Sequence, residues 1–283
     1  MFDTIVIGTG PAGISAALTL KQLNKNFLLI GSKNLSYKIN SAEMIRNYPG
    51  LPSISGLEMK NIFLKQLKDM DIEILDGQVT GVYDLSTHYA VLCNNQQYEA
   101  NTIILGMGVE TIKPIPGEIE LLGQGVSYCA TCDGFLYKNK DITVVATSKG
   151  FEHEARYLAS LANKVNYIGL YKDIDMELDN VNIINGMPQK IEKENKKMKL
   201  SLKDQIIESD GIFMLKEAIS PSVLVPGLEA SSGHIVVDRE MKTNMNGVFA
   251  AGDCTGRPYQ YAKAVGEGNV AAHSVVNYLN NLK

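Results

Sequence analysis

Six residues near the start of the chain, GTGPAG at positions 8–13, constrain its fold more than any other stretch. They follow an apolar β-type run, DTIVIG at 3–8, and they open a segment with helical spacing, ISAALTLKQL. A second β-type run, NFLLIG at 26–31, comes next, which completes a βαβ unit. The pattern G-x-G-x-x-G is weak alone and strong between a strand and a helix. Gly8 permits a tight turn, Gly10 lets a pyrophosphate approach the main chain, and Gly13 lets the helix pack closely on the strand. The helix that follows offers N–H groups and a positive dipole end to phosphates. The acidic residue that would bind a ribose near the end of the second strand is missing, and Gly31 stands close to that position. The loop therefore announces a dinucleotide without choosing which one.

The remaining pattern repeats the same architecture. Residues 57–70 have the spacing of an amphipathic helix, and 71–112 form a strand-rich layer ending in the buried run TIILGMG. KPIPG at 113–117, with two prolines, reads as a crossover between domains. A second α/β pattern runs from 140 to 215, with strands near 142–146, 165–170 and 181–184 and a helix from Glu152. Residues 187–203 are polar and lysine-rich and read as an exposed hairpin. ISPSVLVPG at 219–227 is the return crossover; the strand GVFAAGD at 247–253 and a last helix at 261–280 follow. The expected fold is α/β, with two Rossmann-like three-layer domains, the second inserted into the first. The boundaries fall at 1–113 with 218–283, and 114–217.

Composition narrows the function classes. The chain has 283 residues, 45% apolar and 20% charged, with a net charge of −4, which does not suggest a nucleic-acid binder. No apolar run reaches the roughly 18 residues of a membrane span. MFDTIVIGTG carries no secretory signal pattern, so the expected location is the cytoplasm. Four cysteines are too few for a disulfide-stapled secreted scaffold.

Two of those cysteines, Cys129 and Cys132, stand three apart in CATCDG. A zinc site needs about four ligands, and no histidine pairs with the cysteines in ligand spacing. No metal is expected. A C-x-x-C pair can close a small disulfide ring, and its thiolates can have lowered pKa values. Asp253, in the strand-ending Gly252-Asp253, reads by itself as a helix N-cap.

GTGPAG, NYPG at 47–50, CATCDGF at 129–135 and GVFAAGD occur in the order, and at roughly the spacing, of low-molecular-weight thioredoxin reductases. The resemblance covers nearly the whole chain. It implies the flavin disulfide reductase form of the fold, a homodimer, and FAD as cofactor. It places FAD against Gly8, Gly10, Pro11, Ala12 and Gly13, then Tyr37 and Asn47. Gly106, Gly252, Asp253, Tyr261 and Ala262 complete the implied set. It implies that Cys132 attacks the flavin ring, that Cys129 exchanges with the disulfide of thioredoxin, and that Asp133 is the acid–base group beside them. Its two hinges correspond to KPIPG and to 217–221.

The chain departs from the family's pattern in the inserted domain. Where a glycine loop for NADPH belongs, after strand 142–146, stand Ala146, Thr147 and Ser148, with Phe151 where a small residue is needed. Where arginines for the 2′-phosphate belong stand Gly169, Leu170, Tyr171 and Lys172. Two parts of one nucleotide site are missing together. The same losses mark the clostridial-type reductases that take electrons from ferredoxin, and the chain resembles these. The Gly-Gly-Gln stretch usual after the second strand is also replaced, by SKNLSYKINSAE at 32–43. An acidic ferredoxin would dock on a basic surface, for which Lys190, Lys193, Lys196, Lys197 and Lys199 are the candidates; the alternative is a solvated face. The residues leave three other readings open: an NADPH-dependent reductase with an atypical site, a diflavin disulfide oxidoreductase, and a non-enzymatic redox sensor. Flavodoxin as donor stays open too, as do the roles of Cys93 and Cys254.

Overall fold

A computed structural model describes residues 1–36, 39, 42–109, 114–216 and 220–282, and every side chain among them except that of Cys132. The chain opens with strand β1 (Phe2–Ile7), helix α1 (Pro11–Gln22) and strand β2 (Phe27–Gly31). Helix α2 (Gly56–Asp69) follows, started by a capping box in which Ser55 and Glu58 bond each other's main-chain N–H. Its Met59, Phe63 and Leu67 recur every four residues and are buried, which is the stripe the sequence shows. Strands β3 (Ile74–Asp76), β4 (Val79–Asp84), β5 (Tyr89–Cys93) and β6 (Gln96–Leu105) come next.

Strand β7 (Val126–Ser127) leads into the one-turn helix α3 (Ala130–Asp133). Strand β8 (Asp141–Ala146), helix α4 (Glu152–Leu161), and strands β9 (Lys164–Gly169) and β10 (Val181–Ile183) follow. Then come β11 (Lys190–Glu194), β12 (Lys197–Ser201), β13 (Ile206–Ser209) and β14 (Gly211–Leu215). The tail holds helix α5 (Pro221–Leu224), the two-residue strands β15 (Ala230–Ser231) and β16 (His234–Ile235), strand β17 (Val248–Ala250) and helix α6 (Tyr261–Asn281).

The chain divides into two compact units, Met1–Val109 with Ser220–Lys283, and Glu110–Ile219. Lys113 and residues 217–219, at the expected crossovers, lie outside the described residues, as does Tyr37.

In the first unit the sheet order is β3-β2-β1-β6-β5-β4, with β17 also on β6. The long strand β6 serves three partners, β1 along one edge and both β5 and β17 along the other. Its first half pairs antiparallel with β5, and Ile103–Leu105 pair parallel with Val248–Ala250 of β17. The C-terminal ends of β1, β6 and β17 are thereby brought side by side. Helices α1 and α6 pack together over this region. A Cβ on Gly268 of α6 would lie 2.1 Å from the carbonyl oxygen of Ala12, so glycine sets the closeness of that contact. Ser15 donates to the main-chain oxygen of Val265 at 2.7 Å across the same seam. The core of the unit, including Ile14, Leu20, Leu29, Met59 and Ile104, is fully buried. Each such side chain contributes about 1.5–3 kcal/mol.

In the second unit five parallel strands run β10-β9-β8-β14-β7. Near-continuous apolar strands are what a parallel sheet requires, and Ile142, Val144 and Val145 of β8 are fully buried. A separate antiparallel sheet is formed by β11-β12-β13. Asn195 and Lys196 join β11 to β12 with φ of 49° and 67°, the left-handed pair that a two-residue hairpin turn needs. The expected hairpin is present, and β13 adds a third strand to it.

Candidate functional site

The glycines of GTGPAG differ in what they do. Gly8 has φ of 109°, and a Cβ there would sit 2.3 Å from the oxygen of Gly106. A Cβ on Gly13 would sit 1.8 Å from the oxygen of Gly8. Both are required for packing. Gly10 is different: the nearest atom to a Cβ there is Ser36 Cβ at 4.0 Å, so open space lies over its main chain. Helix α1 starts beside it with Pro11 in its first turn, no side-chain cap and no acidic residue. Its leading N–H groups therefore have neither a competing acceptor nor a repelling charge. This cradle fits the pyrophosphate of a dinucleotide.

Strand β6 ends at the same place, and Gly106 N–H donates to Ile7 at 2.7 Å. The C-terminal segment completes the rim. A Cβ on Gly252, whose φ is 90°, would press on Ala12 Cβ at 2.9 Å. Asp253 opens a single 3-10 turn, Asp253–Thr255, and α6 begins only at Tyr261. Asp253 is not the N-cap that the sequence suggests: a loop with a cis Arg257–Pro258 bond intervenes, and Gln260 precedes the helix. Burial, and then the charge of Asp253, raise the Tyr261 phenol, so those two side chains share one site. Asn47 reaches it through a 2.6 Å bond to Gln260, and Ala262 is exposed on the first turn of α6.

Two residues that the sequence pattern does not single out hold this loop. Lys263 Nζ donates to the main-chain oxygens of Gly252 and Gly256, each at 2.9 Å, and to Thr255 Oγ1 at 3.0 Å. Glu267 accepts from Gly252 N–H and from Thr255 Oγ1, each at 2.8 Å, and pairs with Lys263 at 3.0 Å. Cys254 beside them is fully buried, with Sγ 3.3 Å from the oxygens of Leu105 and Ala251. Burial pushes its thiol up to about 12, and that of Cys93 up to about 11. Both are free thiols that stay protonated near neutral pH, so neither has a nucleophile's chemistry.

In the second unit Cys129 is disulfide-bonded and nearly buried, and the backbone of Cys132 lies in α3. Asp133 N–H donates to the oxygen of Cys129 at 3.2 Å, which closes the turn. Ser127 Oγ donates to Asp133 Oδ2 at 2.6 Å and accepts from Cys129 N–H at 3.0 Å. Tyr128 OH donates to Glu118 Oε1 at 2.7 Å, and the same carboxylate oxygen pairs with Lys216 at 2.6 Å. Glu118 is 0% exposed and Lys216 3%. A buried ion pair therefore joins a turn near the start of this unit to its last described residue, and reaches the residue before Cys129. Immediately after the turn, Phe135 and Leu136 are 69% and 64% exposed.

The strand–turn–helix unit at β8 holds an internal carboxylate. Phe151 packs against the unit's core, and Ser148 is buried. Glu152, the first residue of α4, is 8% exposed and accepts from Tyr171 OH at 2.9 Å and Asp175 N–H at 2.8 Å. Tyr171 OH also lies 2.5 Å from Tyr167 OH, and burial raises the Tyr171 phenol far above its ordinary value. Arg156 is the single arginine in 114–217 and pairs with Asp175 at 3.5 Å. In the lysine-rich sheet, Lys190 pairs with Glu192, Lys197 with Asp210, and Lys199 with Glu194 and Glu208. Lys193 donates to the oxygen of Gln124. Lys190, Lys197 and Lys199 thus lie among acidic partners, and Lys193 does not.

The family model of pyridine nucleotide-disulphide oxidoreductases matches residues 2–268. The chain belongs to that family, among its thioredoxin reductases. It is 31% identical over 304 aligned residues to the thioredoxin reductase of Bacillus subtilis, covering 100% of this chain and 96% of that protein. It is 32% identical to that of Listeria innocua, covering 100% and 95%. Among solved structures, a ferredoxin-flavin thioredoxin reductase from Clostridium acetobutylicum is 45% identical with a TM-score of 0.96, covering 99% of this chain and 98% of that one.

Proposed function

We propose that the chain is a flavin thioredoxin reductase that draws electrons from reduced ferredoxin rather than from NADPH. The observation that carries this donor is Glu152. In a dinucleotide site the first turn of the helix after the strand receives a pyrophosphate. Here that turn carries a carboxylate, bonded by Tyr171 and Asp175. Like charges about 4 Å apart near a protein surface repel by about 4 kcal/mol. The turn lacks the glycines for a close approach, and Arg156 is engaged by Asp175. The similarity to the clostridial ferredoxin-flavin enzyme supports the same donor.

FAD is the cofactor, and it supplies the means of gathering single electrons and passing on a pair. Gly10 and the N-terminus of α1 would hold its pyrophosphate, with Pro11, Ala12 and Gly13 shaping the cradle. Gly8 and Gly106 would fix the cradle floor, and Gly252, Asp253, Tyr261, Ala262 and Asn47 would line the rest of the pocket, with Tyr37, outside the described residues, expected to join them. The first unit, Met1–Val109 with Ser220–Lys283, is the FAD-binding domain, and the second, Glu110–Ile219, is the redox-active one. Cys129 and Cys132 form the exchanging pair. The Cys129 thiolate attacks one sulfur of the thioredoxin disulfide, forming a mixed disulfide and releasing a thioredoxin thiol. The Cys132 thiol then closes the Cys129–Cys132 disulfide and frees the second thiol, with Asp133 moving the proton. Two reduced ferredoxins and two protons are consumed per thioredoxin reduced. With ferredoxin near about −400 mV and thioredoxin near about −270 mV, the transfer releases about 6 kcal/mol. The exposed Phe135 and Leu136 offer thioredoxin an apolar contact beside the pair. The enzyme acts as a homodimer in the cytoplasm; among the described residues no helix is long and apolar enough to cross a membrane.

The test is a titration of the oxidised holoenzyme with NADPH, followed by nicotinamide fluorescence. No saturable binding is expected below about 1 mM. Saturation at about 10 μM, an interaction of roughly −7 kcal/mol, would overturn the donor assignment.

A further inference from the structure

We infer that Ser127 is a positioning residue of the dithiol exchange, acting through Asp133. The inference rests on the reading of Cys129, Cys132 and Asp133 given above. Ser127 ends β7, and Phe213 of the sheet's interior strand β14 lies opposite it in register. Only 4% of Ser127 is exposed, so its hydroxyl is fixed by the sheet rather than by the mobile surface. That single oxygen touches both ends of the redox turn. It donates to Asp133 Oδ2 at 2.6 Å and accepts from Cys129 N–H at 3.0 Å. The oxygen of Cys129 is 3.3 Å away and is the poorer acceptor.

A hydroxyl has one proton to give. The contact to the Asp133 carboxyl oxygen, at 2.6 Å, is much shorter than that to the main-chain carbonyl, so the proton goes to Asp133. Among the described residues no lysine or arginine makes an ion pair with Asp133, so Ser127 is the group that orients its carboxylate. The bond engages Oδ2 alone. The carboxylate is thus tied to the main chain of Cys129 through one oxygen, six residues along the chain from the sheet residue that holds it. Proton transfer by a positioned side chain depends on that geometry. A serine placed only to satisfy a buried turn would need the Cys129 N–H and no carboxylate.

The experiment is a double-mutant cycle on the intact flavoprotein. Dithionite-reduced enzyme is mixed with excess oxidised thioredoxin, and the appearance of thioredoxin thiols is followed in a single turnover, with no ferredoxin or nucleotide present. Ser127→Ala is expected to slow the step about tenfold with an unchanged half-saturating thioredoxin concentration. In an Asp133→Asn background the same change is expected to cost less than about twofold, because the residue it acts through is already disabled. Ser127→Thr, which keeps the hydroxyl, is expected to recover most of the rate. Thermal unfolding of each variant identifies any that has lost its fold. An equal loss in both backgrounds, or no loss from Ser127→Ala in a folded protein, would overturn the role of Ser127 alone. An Asp133→Asn variant as fast as the parent would overturn the reading of the turn itself, and Ser127 with it.

Discussion

Burial decides the chemistry of the two free cysteines residue by residue. Cys129 is in a disulfide, whereas Cys93 and Cys254 are free and enclosed. Removal from water penalises a thiolate, and the folded chain holds Cys254 at about 12 and Cys93 at about 11, above the ordinary thiol's 9.0. The unfolded chain releases those protons about two to three pH units sooner. Folded protein therefore binds more protons than unfolded protein above about pH 9, and stability falls as pH rises through that range. The contribution of these thiols is fully present below their unfolded values and is lost toward pH 11–12. We expect the melting temperature to decline from about pH 9 upward, and Cys254→Ser to flatten the decline. A melting curve series in which Cys254→Ser and the parent fall in parallel would show that this thiol stays out of the linkage. The sequence left Cys254 unexplained because adjacency to a flavin motif says nothing about which way a side chain points.

At the scale of elements, periodicity and loop chemistry were readable and long-range pairing was not. The apolar run in β8, the stripe of α2, the glycine loop before α1 and the span of α6 are all visible in the residue pattern. Strand β13 was not, since its exposed Ile206 and Glu208 break no rule for a loop. The same limit hid Glu118. It lies 98 positions from Lys216, and nothing local marks a glutamate as 0% exposed. That pair joins the start of the second unit to its last described residue and holds Tyr128 next to Cys129. Breaking a buried pair by removing one partner leaves an uncompensated charge and costs about 3–5 kcal/mol. Lys216→Met should lower the melting temperature of the holoenzyme by several degrees at least. Pairing it with Glu118→Gln should recover part of that loss, because the second change removes the stranded charge. A double variant as unstable as the sum of the two singles would argue that the pair is not coupled.

For the molecule as a whole, the division into two α/β units was legible in the sequence, but not what fills the turn after β8. Ala146, Thr147, Ser148 and Phe151 tell that glycines are missing. Only the structure supplies Glu152 and Tyr171 in their place, since that bond spans 19 residues and a strand. Tyr37 lies outside the described residues, and of the SKNLSYKINSAE segment Ser36 stands nearest the open space over Gly10. The lysine-rich sheet, which the sequence offers as a docking surface, has Lys190, Lys197 and Lys199 neutralised by neighbouring carboxylates. Such exposed pairs contribute little to stability and reduce the local positive field. The central claim is the exchange of electron donor, and it is tested most directly by anaerobic turnover. The purified flavoprotein is mixed with thioredoxin and either NADPH or reduced ferredoxin, while flavin absorbance and thioredoxin thiols are followed together. Ferredoxin is expected to bleach the flavin and release two thiols per thioredoxin, with NADPH doing neither; fast bleaching and thiol release with NADPH would contradict the account.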